Sequence, residues 1–124
     1  MSKPKSNALT HLVKAFCWSI KGIRSALKHE VAFRQEIFLF LFLGPLGLWL
    51  GTTACEKTLL ISALFLVLVV EMLNSAIETV VDRISDEEHA LAGRAKDMGS
   101  AAVFLSLANA VVVWGLILSD IYYS

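Results

Sequence analysis

A chain of 124 residues allows a single domain, read as 1–124. With 56% hydrophobic residues and a mean hydropathy of +0.67, it is too apolar for an ordinary soluble domain. A formal net charge of zero carries no basic signature of nucleic-acid binding, and Cys17 and Cys55 have no metal-ligand spacing.

Residues 1–6 are polar, carry Pro4 and are expected to be disordered. No continuous apolar core follows within the first 30 residues, so no cleaved signal peptide is expected. Ser6 or Asn7 can cap a helix starting near Ala8. Over 8–29, Leu9, Leu12, Val13, Phe16, Ile20, Ile23 and Leu27 recur at helical spacing, with Lys14, Lys21, Arg24 and Lys28 between them. This reads as a basic amphipathic helix suited to a membrane surface; packing on other protein is the open alternative. Residues 30–36, EVAFRQE, form a charged bridge in which Glu30 and Arg34 have the spacing of a plain salt bridge.

Three spanning helices are expected, at about 37–55, 58–81 and 100–118. Pro45, Gly44 and Gly47 can kink the first. A short loop around Thr52 to Lys57 makes the first two antiparallel neighbours, and a longer charged loop, 82–99, precedes the third. Ser106 and Asn109 in the third span are expected to bond to neighbouring helices. Of the eleven Lys and Arg residues, seven precede Ile37 and three lie at 82–99. The positive-inside rule therefore places the N-terminus and the 82–99 loop in the cytoplasm and the C-terminus outside. Cys17 and Cys55 then lie on opposite sides of the membrane, which excludes a disulfide within the chain. Trp49, Trp114, Tyr122 and Tyr123 fall near the outer ends, as interfacial anchors do, and Trp18 also reads as an anchor.

The second span, LLISALFLVLVVEMLNSAIETVV, carries a carboxylate at membrane depth, Glu71. Such a group costs at least about 2.5 kcal/mol and by default marks a functional site. At about 100° per residue, Asn74, Glu78 and Asp82 fall on the same narrow face. The stripe runs from inside the cytoplasmic leaflet out to the cytosol. Glu87, Glu88 and His89 follow it, then GRAKDMGS from Gly93 to Ser100. Carboxylates hold Mg²⁺ together with phosphate oxygens and waters, Lys96 and Arg94 can meet phosphates, and a dehydrated carboxylate suits a general base. The inventory fits metal-assisted phosphoryl transfer. No P-loop or GxGxxG is present. The plain readings are a structural acid for Glu71, solvated helix ends for Glu78 and Asp82, and topology-setting charges for Arg94 and Lys96. His89 alone reads as an exposed loop histidine.

EMLNSAIETVVDRIS, GRAKDMGSAA and HEVAFRQE together resemble the signature of the small prokaryotic diacylglycerol kinase family, over nearly the whole chain. The resemblance implies an all-α membrane protein, with an N-terminal amphipathic surface helix and three transmembrane helices, assembled as a homotrimer in the bacterial inner membrane. Its active sites would be shared between subunits. The implied reaction moves the γ-phosphate of MgATP to the primary hydroxyl of diacylglycerol, giving phosphatidic acid. Undecaprenol or another lipid alcohol is the alternative acceptor. Glu71 matches the catalytic base, and Glu30 and Glu78 the carboxylates that hold Mg²⁺ with ATP. Trp18, Glu87, Glu88, His89, Lys96 and Asp97 match ATP-contacting positions. Arg24, Arg34, Gln35, Asn74, Asp82 and Ser100 match positions that shape the site or the lipid approach. His11 replaces an arginine that contacts ATP and lipid, with Lys14 a nearby substitute. Two readings of other classes are a small proton-coupled transporter, against which the one-sided stripe argues, and a non-catalytic accessory subunit.

Overall fold

The computed structural model describes residues 7–84 and 90–123, all of whose regular structure is helical. Four helices follow in order: α1 (Ala8–His29), α2 (Val31–Leu50), α3 (Ala54–Ile84) and α4 (Ala90–Tyr123). The last three are long and apolar enough to cross a membrane. The N-terminal segment 1–6 and Glu87, Glu88 and His89 lie outside the described residues.

Asn7 starts α1. Its side-chain oxygen accepts the Thr10 N–H at 2.8 Å and the Thr10 hydroxyl at 2.7 Å, satisfying a donor that the first turn leaves open. A single extended residue, Glu30, ends α1 and begins α2. No salt bridge joins Glu30 to Arg34. Instead the Arg34 guanidinium donates to the carbonyls of Leu27 at 2.8 Å and Lys28 at 3.0 Å. The final turn of a helix leaves its carbonyls unpaired, and a cation there also meets the negative end of the helix dipole. Arg34 thus fixes the corner and leaves the Glu30 carboxylate available.

The turn between α2 and α3 is shorter than expected, because Thr53 and Glu56 form a capping box. The Glu56 carboxylate accepts the N–H groups of Thr52 at 2.9 Å and Thr53 at 3.0 Å, as well as the Thr52 hydroxyl. The Thr53 hydroxyl accepts the Glu56 N–H at 3.1 Å. Helix α3 therefore begins at Ala54. At the other end α3 continues to Ile84 and α4 starts at Ala90, so most of the expected 82–99 loop is helix. Ala, Leu, Arg and Lys, all good helix formers, extend the two helices past their apolar segments.

Helix α3 is the central element, packed against α4 and α2. Its inner face buries Leu60, Ala63 and Val67. A close approach is at Gly47 of α2, where a Cβ would lie 3.3 Å from both the Leu60 Cβ and the Trp114 ring. Small residues allow this proximity between membrane helices. Trp114, read as an anchor, is turned inward, and its Nε1 donates to the Leu60 carbonyl at 3.1 Å. The rings of Phe40 and Phe65 meet edge to face with centroids 4.7 Å apart. Ser106 is buried but donates to Val103 in its own helix at 2.7 Å, so the expected bond to a neighbouring helix is not made.

Gly47→Val should separate α2 from α3 and cost about 1–3 kcal/mol, the usual range for overpacking. Trp114→Phe should cost about 1 kcal/mol through its lost hydrogen bond. Unfolding in detergent should rank wild type above Trp114→Phe, and Trp114→Phe above Gly47→Val.

Candidate active site

The stripe on α3 is graded in depth. Glu71, Asn74 and Ser75 are buried, Glu78 is half-buried and Asp82 is exposed. The i, i+3, i+7 and i+11 spacing keeps these groups on one side of the helix, and α4 covers that side. The Asn74 carboxamide donates to the Glu78 carboxylate at 3.4 Å. Its own oxygen is buried without a hydrogen-bond partner and faces Gly99 of α4. A Cβ at Gly99 would collide with that oxygen. Glycine at this position is what lets α4 close over Asn74.

At the outer rung, Lys96 Nζ meets Asp82 Oδ1 at 2.6 Å. Lys96 stands on the turns of α4 that precede the apolar segment. The hydrogen bond and charge of Asp82 hold its ammonium above the usual lysine range, and Glu78 adds to the effect. Both partners are substantially exposed, so the pair chiefly orients the two groups at the mouth of the stripe.

Further acidic groups converge on Glu71. Glu30 at the α1–α2 corner and Glu78 both act on it electrostatically. Glu71 in turn acts on Glu36, which stands in the charged bridge. One Glu36 oxygen is buried without a hydrogen-bond partner. Its signal was present in the spacing: Glu36, Phe40, Leu43 and Gly47 recur at three or four residues, which puts Glu36 on the packed face of α2. Glu36 also ends a cavity of about 330 Å³ between α2, α3 and α4, whose other walls are apolar, including Leu43, Leu68, Val111 and Trp114.

Glu71 thus lies within electrostatic reach of Glu30, Glu36 and Glu78. Like charges so disposed attract a cation. Among the described residues no three His, Cys, Asp or Glu side chains come close enough to cage an ion. Two carboxylates with open positions suit Mg²⁺, which keeps waters and takes phosphate oxygens.

Other expected site residues stand apart from this cluster. Trp18 is 65% exposed; His11 and Arg24 are exposed along α1, whose one buried residue is Ala26. Arg34 is committed to the helix corner, and Gln35, Asp97 and Ser100 are exposed. Glu87, Glu88 and His89 are outside the described residues.

Comparison with known proteins agrees with the sequence resemblance. The family model described as "Prokaryotic diacylglycerol kinase" matches residues 17–118. The diacylglycerol kinase of Haemophilus influenzae is 53% identical over 92% of this chain and 97% of its own length. That of Escherichia coli K12 is 49% identical over 91% of this chain and 93% of its own length. That of Helicobacter pylori strain 26695 is 41% identical over 96% and 93%, respectively. With its three apolar helices and acidic stripe, this chain belongs to the prokaryotic diacylglycerol kinase family.

Proposed function

We propose that this chain is one integral-membrane kinase domain that transfers the γ-phosphate of ATP to the primary hydroxyl of diacylglycerol, yielding phosphatidic acid and ADP. The observation that carries the reading is the buried Glu71 carboxylate at the inner end of a polar stripe that opens at the exposed Asp82, in a chain of this family. The lipid hydroxyl oxygen forms the new bond to the γ-phosphorus. The bond from that phosphorus to the β,γ-bridging oxygen breaks, and the hydroxyl proton passes to Glu71. Glu71 is the only stripe carboxylate deep enough to meet a lipid headgroup. The apolar cavity ending at Glu36 suits an acyl chain whose polar end lies toward the acidic cluster.

Glu30 and Glu78 hold Mg²⁺ in this reading. When bound, the ion supplies neutralisation of phosphate charge, which dominates catalysis of this class. Asn74 holds Glu78 in place through its carboxamide. Lys96, drawn to the mouth by Asp82, turns to the nucleotide phosphates, with Asp97, Trp18 and residues Glu87, Glu88 and His89 completing the nucleotide contacts. Arg24, Arg34, Gln35, Ser100 and His11 shape the lipid approach. Because α1 stands away from the stripe within one chain, Trp18 reaches a nucleotide most directly from a neighbouring copy. A homotrimer with shared sites meets that need. The protein sits in the bacterial inner membrane with its N-terminus in the cytoplasm and its C-terminus in the periplasm.

The decisive experiment presents purified protein in bilayers with labelled ATP, Mg²⁺ and a panel of lipid alcohols. Diacylglycerol should be phosphorylated fastest; preference for undecaprenol would move the chain to the alternative acceptor, and proton flux without ATP would restore the transporter reading. Glu71→Gln should lower turnover by about 10²- to 10⁴-fold, the usual worth of a general base, with unfolding temperature and ATP binding kept. Glu30→Gln and Glu78→Gln should each move the Mg²⁺ dependence of the rate to higher concentration. A metal titration unchanged from wild type would remove their ligand role.

A further inference from the structure

The middle of α4 carries a carboxamide that nothing in its own chain satisfies. Asn109 lies at the centre of the apolar 100–118 segment and is exposed, and its side chain makes no hydrogen bond among the described residues. A polar group facing hydrocarbon is costly and finds a partner wherever one can be reached.

Helix α2 offers the complementary group. Pro45 stands inside it and has no N–H, so the Leu41 carbonyl four residues earlier lacks its helical donor. Membrane helices tolerate such a proline when a neighbour satisfies the freed carbonyl. Leu41 and Pro45 are both exposed, on a face of α2 that flanks the buried Gly44 and Gly47.

The two groups lie at matching depth. Gly47 touches the Trp114 ring, which sets α2 and α4 level at that point. Both helices run outward from the cytoplasmic side. Asn109 is five residues before Trp114, or about 7.5 Å, and Leu41 is six before Gly47, or about 9 Å, with its carbonyl directed back toward Pro45. Donor and acceptor therefore agree in depth to within about one helical turn. Both residues are exposed on the single chain, and no hydrogen bond joins them within it.

Each is also flanked by an apolar stripe at coiled-coil spacing. Phe38, Leu41, Pro45 and Leu48 line one face of α2. Leu105, Asn109, Val112 and Leu116 line one face of α4.

We propose that the α4 face of one copy docks on the α2 face of a second copy of this chain, with the Asn109 carboxamide donating to the Leu41 carbonyl freed by Pro45. The contact is heterologous, so its repetition around a ring satisfies every copy. Lipid cannot take this place, because acyl chains offer neither donor nor acceptor. The proposal rests on the self-association inferred above, and wild-type sizing separates the two.

The test uses the full chain in bilayers with Cys17→Ser and Cys55→Ser. Leu41→Cys combined with Asn109→Cys should give disulfide-linked multimers on oxidation, and Asn109→Cys alone should give none. Linkage by Asn109→Cys alone would show self-pairing of that residue and overturn the proposal, as would no linkage from the pair in a protein that sizes as an oligomer. A wild-type monomer would overturn both this contact and the self-association. In the unmodified background, Asn109→Leu should weaken association about three- to twenty-fold, the range of interhelical hydrogen bonds in membranes. Pro45→Ala returns an N–H to the Leu41 carbonyl, so in that background Asn109→Leu should lose most of its effect. Equal weakening in both backgrounds would also refute the bond.

Discussion

Keeping a carboxylate inside an apolar helix bundle is the constraint from which the rest of this molecule follows. Glu71 shares its helix face with Leu60, Ala63 and Val67, which are nearly or wholly buried. Glu30, Glu36 and Glu78 approach it from the corner, from α2 and from the next two turns of α3. In a low dielectric such a group of like charges does not rest unaided, because each added charge raises the cost of the others. A cation or a cationic partner offsets that cost, which is the electrostatic basis of the site proposed for a metal-bound nucleotide.

The surrounding framework delivers these groups by a few local devices. Arg34 ties down the last carbonyls of α1 and so places Glu30 at a sharp corner. The capping box at Thr53 and Glu56 reverses the chain in very few residues and keeps α2 tight against α3. Gly47 admits Leu60 and the inward Trp114 ring, and Gly99 admits the Asn74 oxygen. The two glycines act at opposite ends of the bundle, one setting the separation of α2 from α3 and α4 and the other closing α4 over the polar stripe.

The exposed flanks of the same helices carry the proposed contacts between copies. The inner faces are consumed by packing within one chain, whereas Asn109 and the proline-freed carbonyl of Leu41 lie on the outside. Hydrocarbon satisfies neither. Polar groups of this kind cost stability in an isolated chain and specify partner and register when copies meet.

The helices and the depth of Glu71 were legible in the sequence, because apolar length and a 3.6-residue period are properties of consecutive residues. The alignment of Asn74, Glu78 and Asp82 was legible for the same reason, and the family was legible in a long block of specified positions. Some features could have been read and were not: T-x-x-E at Thr53 announced the capping box, and the spacing of Glu36 from Gly47 announced its inward face. What the tertiary structure alone decided is how separate segments meet. That Arg34 caps α1 and leaves Glu30 unpaired, that Gly99 seats Asn74, that Trp114 turns inward to Leu60, and that Glu36 joins the acidic group all depend on distances between helices. A periodic pattern gives each helix a face, but the face it meets is set by the packing of the whole bundle.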